Sequence, residues 1–274
     1  MFTSIVTLDP GRPECTLTSY IHEPFEELNI PVRRAMIVCP GGAYQGLCER
    51  EGEPVALQYF AAGMNVFVLH YSIADKAAGG APIIEAAMAI RHVRENAAEY
   101  HVDPAYVFIS GFSAGGHLSA CASSFWKQPF VLEALGLTSG EICRPTGAVL
   151  CYPFITDEAY RHVGSVLDIC QGLSDGANSM LLDYPADKYV DGETSPAFIW
   201  HTRDDVIVPI QNTLTYASAL AGAGVPFEYH VYPTGVHGLA LADPETSAGF
   251  PALEIPEVSA WIRDAIRWCR DFKA

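Results

Sequence analysis

One stretch decides the fold: Ala105-Tyr106-Val107-Phe108-Ile109, then Gly111-Phe112-Ser113-Ala114-Gly115, then the small residues of 116–122. The β-branched and aromatic run predicts a strand, and the small-residue run predicts a helix. Ser113 then lies in a sharp turn, with its hydroxyl raised above the sheet and the helix N-terminus directed at nearby negative charge. Such a five-residue pattern also arises by chance, so its meaning depends on the rest of the chain.

The length and composition indicate a single domain over residues 1–274. The chain is 50% hydrophobic and 18% charged, which allows a large core and gives no sign of disorder. No low-complexity linker or internal repeat divides it. The formal net charge of −16 repels phosphate backbones and anionic lipids, so we expect no nucleic-acid or membrane partner. We attribute the acidity to solubility, and the sequence leaves homo-oligomerisation open.

The eight cysteines form no Cys-x-x-Cys pair, and several fall in predicted core elements, so we expect reduced thiols. The N-terminus has no basic region, long apolar core or cleavage site, and no apolar run has the length of a membrane span. These features lead us to expect a cytoplasmic protein with no metal and no cofactor.

Continuous apolar runs predict strands that are covered on both faces, as in a parallel sheet between helices. Together with the strand before Ser113, these runs are 35–39, 66–69, 147–152, 197–201 and 227–232. The N-terminal residues alternate in polarity and are broken at 9–13, which predicts two antiparallel edge strands.

Helical patterns alternate with these strands along the chain. They cover 53–63, 82–94 with a stop at Asp103-Pro104, a segment near 210–221, and an amphipathic segment from 258 to 269. This alternation predicts a mostly parallel, doubly wound sheet of about eight strands flanked by helices. Residues 154–195 fit neither pattern and predict a small cap-like insertion over the carboxyl edge of the strands, where such sheets bind ligands.

A serine hydroxyl is a weak nucleophile at neutral pH, and it needs a histidine to accept its proton and an acid to orient that histidine. Asp204 and Asp205 follow the strand at 197–201, and His237 follows the last predicted strand. The order serine, aspartate, histidine is that of an α/β-hydrolase. Three other histidines lie within predicted elements and are assigned to structure: His117, His201 and His230.

The chain resembles an α/β-hydrolase of the acetyl-xylan-esterase-like branch, related to esterases of the hormone-sensitive-lipase type, over nearly its whole length. The stretches that carry the resemblance are Cys39-Pro40-Gly41-Gly42-Ala43-Tyr44, Arg50-Glu51-Gly52-Glu53-Pro54-Val55-Ala56, Gly111-Phe112-Ser113-Ala114-Gly115-Gly116-His117-Leu118, His201-Thr202-Arg203-Asp204-Asp205-Val206-Ile207-Val208-Pro209 and Gly235-Val236-His237-Gly238-Leu239. Their combination is far more specific than any one of them.

The resemblance implies a serine esterase that forms an acyl-enzyme. Ser113 matches the nucleophile of the family, and His237 matches its general base. Asp205 matches the acid, because it stands four residues before Pro209 as in the family loop, and Asp204 is the alternative.

The same resemblance implies an oxyanion hole made by the backbone N–H groups of Gly42, Ala43 and Ala114. The first loop departs from the His-Gly-Gly-Gly pattern of related esterases, since Pro40 replaces the histidine and Ala43 the last glycine. We therefore expect a loop that is anchored differently and has less freedom in φ, and the main donor stays open between Gly42 and Ala43.

Tyr44 lies beside the expected oxyanion loop, and Tyr152 and Phe154 lie at the end of a predicted strand, so the three suggest an aromatic-walled substrate pocket. The resemblance implies the removal of short acyl groups, acetyl above all, from esters of sugars or other small alcohols. The expected partner is therefore a small-molecule ester, with acetylated saccharides among the candidates. Two alternatives stay open: another hydrolase on this fold, such as an arylformamidase, lipase or aminopeptidase, and a non-catalytic binding protein that has kept the scaffold.

Overall fold

A computed structural model describes residues 1–155 and 172–273. Within these residues the strands are β1 Phe2–Asp9, β2 Arg12–Ile21, β3 Arg33–Cys39, β4 Asn65–His70, β5 Val102–Phe112, β6 Ala148–Cys151, β7 Ala197–Thr202 and β8 Phe227–Tyr232. They form one sheet of eight strands in the order β1-β2-β4-β3-β5-β6-β7-β8. β2 pairs antiparallel with both β1 and β4, and all other neighbours are parallel. The predicted mostly parallel sheet and the antiparallel pairing of the two N-terminal strands are confirmed, but β1 alone of these two is an edge strand, because β2 lies between β1 and β4.

Helices cover both faces of this sheet. In the described ranges they are α1 Glu53–Ala61, α2 Ala81–Glu95, α3 Ala114–Phe125, α4 Pro129–Leu135, α5 Asp175–Asp183, α6 Gln211–Ala223, α7 Pro256–Ser259 and α8 Trp261–Asp271. α1 and α2 each have a proline in the first turn, where a missing N–H leaves no helical hydrogen bond unmade. The sequence patterns do not predict α4 or α5, and the predicted final helix is divided at Ala260 into α7 and α8.

Two apolar cores lie on opposite faces of the sheet. Ile37 of β3 packs into the core that contains Leu118 of α3, whereas its neighbours Met36 and Val38 pack into the core that contains Trp261 of α8. Successive side chains of a strand point to opposite faces, so a strand covered on both faces must be apolar throughout. This requirement explains the continuous apolar runs in the sequence.

The predicted stop at Asp103-Pro104 lies inside β5 and not at the end of a helix. α2 ends earlier, where the Asn96 side chain donates to the carbonyl oxygen of His92 at 2.8 Å. The pairing of β5 with β3 then jumps from Val102 to Val107. A strand tolerates proline at such an irregularity, because no ladder hydrogen bond is required from it there.

The predicted insertion at 154–195 lies partly outside the described residues, which leave out 156–171. Its described part contains α5 and a short 3₁₀ helix, Ala186–Tyr189. α5 approaches the 3₁₀ segment Ala74–Gly80 closely, since a β carbon on Gly176 would lie 2.4 Å from the carbonyl oxygen of Ala74. The single domain with a cap-like insertion stays a prediction.

The turn at Ser113 joins β5 to α3 through backbone contacts. A β carbon on Gly111 would lie 2.0 Å from the carbonyl oxygen of Gly115, and one on Gly115 would lie 2.1 Å from that of Cys39. Only glycine fits such contacts, so the start of α3 lies directly against the end of β3. Ser113 itself has φ +51° and ψ −115°, a strained backbone conformation for a residue with a side chain.

Neither a membrane-spanning helix nor a disulfide occurs among residues 1–155 and 172–273. No helix there is long and apolar enough to cross a membrane, and the cysteines there are free thiols. Burial raises the pKa of several of these thiols, that of Cys39 to about 12, so they are protonated and unreactive at neutral pH.

His117 on α3 connects three segments of the chain. Its Nδ1 accepts a hydrogen bond from the Tyr44 hydroxyl at 2.8 Å, and its Nε2 donates to the carbonyl oxygen of Tyr184 at 2.7 Å. This assignment of donors follows because a carbonyl oxygen can only accept. The ring is completely buried, and burial lowers its pKa to about 4, so His117 is neutral at neutral pH.

We predict that His117 makes folding pH-dependent between about pH 6.5, the ordinary histidine pKa, and its own value of about 4. In this window the unfolded chain binds a proton that the folded chain does not, so stability falls as the pH falls, by up to about 1.4 kcal/mol per pH unit. Above about pH 6.5 the stabilisation that the neutral His117 ring provides is fully present. Urea unfolding of wild type and of His117→Asn across this range measures the effect.

The free energy of unfolding of the wild type should fall more steeply with decreasing pH than that of His117→Asn. His22 and His92 also have pKa values lowered by burial, but both are unchanged in the variant, so the difference in slope isolates His117. Equal slopes for the two proteins would contradict the prediction.

Candidate active site

Four parallel strands end at the same edge of the sheet, and the loops after them meet around Ser113. β3 leads to the loop 40–48, β5 to the Ser113 turn, β7 to the loop containing Asp205, and β8 to the loop containing His237. Open α/β sheets bind ligands at this edge. The loops surround a cavity of about 360 Å³, whose lining includes Gly42, Ala43, Ser113, Phe154, Leu181 and His237.

Ser113, His237 and Asp205 form a continuous chain of hydrogen bonds. The Oγ of Ser113 lies 2.8 Å from Nε2 of His237, and Nδ1 of His237 lies 2.6 Å from Oδ2 of Asp205. A carboxylate only accepts, so Nδ1 carries the hydrogen and Nε2 is left to accept from the serine hydroxyl. The structure thus brings together the three side chains that the sequence had placed in separate loops.

The Asp205 carboxylate is held in its ionised form. Burial alone would raise its pKa, but hydrogen bonds from His201 and His237 outweigh burial and hold the pKa well below its ordinary value. Its Oδ1 also accepts from the backbone N–H groups of Ile207 and Val208, each at 2.9 Å. The acid is therefore fixed in position as well as charged.

The alternative acid, Asp204, takes no part in this chain of hydrogen bonds. Its side chain is exposed and forms an ion pair with Arg203 at 2.7 Å. His230 takes no part in it either, and its Nε2 instead contacts Glu228 on the same strand at 2.7 Å.

His201 lies directly behind the acid. It is completely buried, and its Nε2 is 2.9 Å from the carbonyl oxygen of Val208 and 3.3 Å from Oδ2 of Asp205. Both neighbours are acceptors, so Nε2 carries a hydrogen and His201 supports the Asp205 loop. The sequence predicted a structural role for His201 but did not reveal its contact with Asp205.

The loop after β3 presents unpaired backbone amides to the cavity. Gly42 has φ +132°, and Ala43 and Tyr44 have φ +54° and +56°. Among the described residues, the N–H groups of Gly42, Ala43 and Ala114 have no protein acceptor, and all three residues line the cavity. The positive φ of Ala43 is a left-handed conformation that costs about 1–3 kcal/mol for a residue with a β carbon, and the surrounding contacts must offset this cost.

Glu51 is a buried carboxylate at this cavity to which the sequence assigned no role. Its Oε2 accepts from the N–H of Gly41 at 2.8 Å, and its Oε1 accepts from the Tyr152 hydroxyl at 2.6 Å. Burial raises the pKa of Glu51, while these two hydrogen bonds oppose the rise. The residue lies in a three-residue 3₁₀ turn, Glu49–Glu51, which has no periodic pattern that would reveal a buried acid.

Of the three aromatic residues predicted to line the pocket, the structure places Phe154 at the cavity and two behind its wall. Tyr44 and Tyr152 are buried outside the cavity lining, and their hydroxyls are hydrogen-bonded to His117 and Glu51, respectively. The cavity wall instead includes apolar residues that the sequence did not single out: Leu181, Ile207 and Val208. Leu181 could not be found, because α5 was not predicted.

The chemistry available here is that of an activated hydroxyl facing free amides. A Ser-His-Asp chain makes the serine oxygen a nucleophile, and the amides can accept negative charge that develops on an attacked carbonyl. In the described part of the chain, no group of three His, Cys, Asp or Glu side chains is arranged to hold a metal ion.

Comparisons with known proteins agree with this arrangement. A family model described as BD-FAE matches residues 26–130. The chain is 34% identical over 246 residues to endo-1,4-beta-xylanase B of Butyrivibrio fibrisolvens, in an alignment that covers 85% of this chain and 36% of that protein. It is 31% identical over 219 residues to the acetylxylan esterase of Xylanibacter ruminicola, which covers 77% of this chain and 42% of that protein.

The chain thus spans about two fifths of the length of these two curated relatives. In contrast, one solved structure matches this chain over nearly the full length of both proteins. The crystal structure of MGS-M1, an α/β-hydrolase enzyme from a Medee basin deep-sea metagenome library, matches with a TM-score of 0.78 and 31% identity, over 98% of this chain and 96% of that one. From this match and the relatives above, the chain belongs to the α/β-hydrolase esterase family.

Proposed function

We propose that this chain is a serine carboxylesterase that works through an acyl-enzyme on Ser113. The observation that carries the proposal is the chain of hydrogen bonds from Ser113 through His237 to Asp205 at the wall of the cavity. Each member has the geometry that its role requires, since the base is within reach of the hydroxyl and the acid within reach of the base.

In the first half of the reaction, Ser113 attacks the ester carbonyl carbon while Nε2 of His237 takes the serine proton. The carbonyl oxygen becomes negatively charged, and the amides of Gly42, Ala43 and Ala114 stabilise it by a few kcal/mol per donor. Asp205 stabilises the imidazolium that forms. His237 then gives its proton to the departing alcohol, which leaves the acyl group on Ser113.

In the second half, a water molecule replaces the alcohol. His237 accepts a proton from this water as it attacks the acyl carbon, and the same amides stabilise the second tetrahedral intermediate. The proton returns to Oγ of Ser113 when the carboxylic acid leaves. The free enzyme is then restored.

The proposed substrates are acetyl esters of sugars or other small alcohols. A cavity of about 360 Å³ lies at the small end of the range for ligand sites, and Phe154, Leu181 and Ile207 give it an apolar wall suited to a short acyl chain. The similarity to a protein named as an acetylxylan esterase supports an acetylated saccharide among these substrates.

A glycosidase activity, which the name of the xylanase relative raises, has less support. Glycosidases use two carboxyl groups on either side of the scissile bond. The described residues that line the cavity include one carboxylate, Glu51, where a glycosidase needs two. Both oxygens of Glu51 already accept hydrogen bonds from the protein. The matched region also covers 36% of that relative, so its named activity need not reside there.

We predict that Asp205→Asn lowers kcat for p-nitrophenyl acetate by about 10³–10⁴-fold, because an amide leaves the imidazole in the wrong tautomer. Ser113→Ala should abolish both turnover and labelling by a fluorophosphonate probe. Asp204→Asn is the matched control, since its exposed carboxylate contacts Arg203 and not His237. Steady-state kinetics that show a larger loss for Asp204→Asn, or full activity for Ser113→Ala, would contradict these assignments.

We also predict a preference for short acyl groups. The kcat/KM for p-nitrophenyl acetate should exceed that for the octanoate at least about tenfold, because the cavity is small. Acetylated xylo-oligosaccharides should release acetate, whereas formamide and peptide substrates should not react. Leu181→Ala, which enlarges the cavity, should narrow the gap between acetate and octanoate, and Leu214→Ala on the exposed face of α6 should not.

An equal rate on long and short esters would exclude the short-acyl assignment. Hydrolysis of aryl formamides or aminoacyl amides in place of esters would instead favour an arylformamidase or an aminopeptidase on the same machinery.

A further inference from the structure

The carboxylate of Glu51 lies at the catalytic cavity but outside the Ser113–His237–Asp205 chain. The residue is 3% exposed and lines the same cavity as Ser113 and His237. Burying a carboxylate is unfavourable unless its oxygens are hydrogen-bonded. Both oxygens of Glu51 do have donors, the N–H of Gly41 and the hydroxyl of Tyr152. Each of these two hydrogen bonds connects Glu51 to a different loop at the cavity.

The first contact fixes the oxyanion loop, which we define as residues 40–48. A β carbon on Gly41 would lie 2.6 Å from Oε2 of Glu51 and 2.7 Å from the carbonyl oxygen of Phe112. Gly41 is therefore enclosed between the Glu51 carboxylate and the end of β5. Because Gly42 and Ala43 follow directly, the directions of their N–H groups depend on how Gly41 is held.

The second contact fixes the histidine loop, which we define as residues 233–246. The Tyr152 hydroxyl that donates to Glu51 also accepts from the N–H of Ala240 at 2.8 Å. The Tyr152 ring meets the His237 ring edge to face, with centroids 5.1 Å apart. Arg50, next to Glu51, donates to the carbonyl oxygen of Gly238 at 3.2 Å. Residues 50 and 51 thus contact both loops.

We propose that Glu51 is a positioning residue that holds the oxyanion loop and the histidine loop at a fixed spacing across the cavity. This inference rests on the proposed function. A misplacement of about 1 Å in such groups can cost about 10²-fold in rate, because the donors must already point at the oxygen when its charge develops.

The test is Glu51→Gln, which keeps the size of the side chain. The amide oxygen of glutamine can still accept from Gly41, but its NH₂ group then faces Tyr152, whose hydroxyl hydrogen loses its acceptor. We expect kcat for p-nitrophenyl acetate to fall about 10–100-fold, with KM within about threefold of wild type. The kcat value is calculated per active site, from the fraction of protein that a fluorophosphonate probe labels at completion.

This readout separates positioning from a merely structural role. A structural role alone would lower the melting temperature or the labelled fraction, but each labelled site would turn over at the wild-type rate. Glu49→Gln is the matched control, because Glu49 lies in the same 3₁₀ turn with an exposed side chain. It should leave both kcat and KM unchanged.

Tyr152→Phe removes one of the two contacts of Glu51 and should also lower kcat. If Glu51 acts through Tyr152, the double variant should lose less activity than the product of the two single losses. Should Glu51→Gln fail to fold, Tyr152→Phe decides the question by itself.

Wild-type kcat per labelled site in Glu51→Gln, or in Tyr152→Phe where that variant decides, would overturn the inference. A different result would overturn the proposed function itself: wild-type protein that neither hydrolyses the ester nor takes the label. The two failures are therefore distinguishable in one set of measurements.

Discussion

The close approach of α3 to the end of β3 at Gly115 is the constraint on which the site depends. A β carbon at this position would lie 2.1 Å from the carbonyl oxygen of Cys39 and 2.4 Å from that of Pro40. The contact places the N-terminus of α3, with the free amide of Ala114, beside the loop that carries Gly42. The chain passes from β5 to α3 through Ser113, which has a strained backbone conformation. Nucleophile and oxyanion loop are thus joined by backbone packing before any side chain contributes.

Around this backbone frame, two buried carboxylates with different surroundings set the electrostatics of the site. Asp205 accepts from two histidines and two amides, so its pKa lies well below the ordinary value and it stays ionised. Glu51 has one amide and one hydroxyl as partners, and burial raises its pKa. His237 is hydrogen-bonded to Asp205, and its ring contacts that of Tyr152, whose hydroxyl donates to Glu51. We infer that the first orients the base directly, whereas the second acts through the loops on either side of the cavity.

Much of the fold and the centre of the site could be predicted from the sequence, because both depend on local patterns. Strands buried on both faces must be apolar throughout, and residues after parallel strands must meet at one edge, which brought Ser113, His237 and the pair Asp204 and Asp205 into one prediction. The resemblance to the esterase family then favoured Asp205 over Asp204. The parts that could not be predicted depend on contacts between distant residues. Tyr152 and Glu51 are 101 positions apart in sequence, and their side chains are joined by a hydrogen bond. Tyr152, which was predicted to line the pocket, is therefore buried behind the cavity wall. The predicted stop at Asp103-Pro104 was wrong, because a local stop signal cannot reveal an irregularity inside a strand.

The claim that backbone packing at Gly115 assembles the site is tested most directly by Gly115→Ala against Gly222→Ala. Gly222 lies on the exposed face of α6, where a β carbon would meet nothing within 4 Å, so the same substitution there should be neutral or stabilise by about 0.5–1 kcal/mol. We expect Gly115→Ala to lower the free energy of unfolding by about 3 kcal/mol or more, and the folded fraction to lose labelling by a fluorophosphonate probe. Wild-type stability and wild-type labelling in Gly115→Ala would contradict the account.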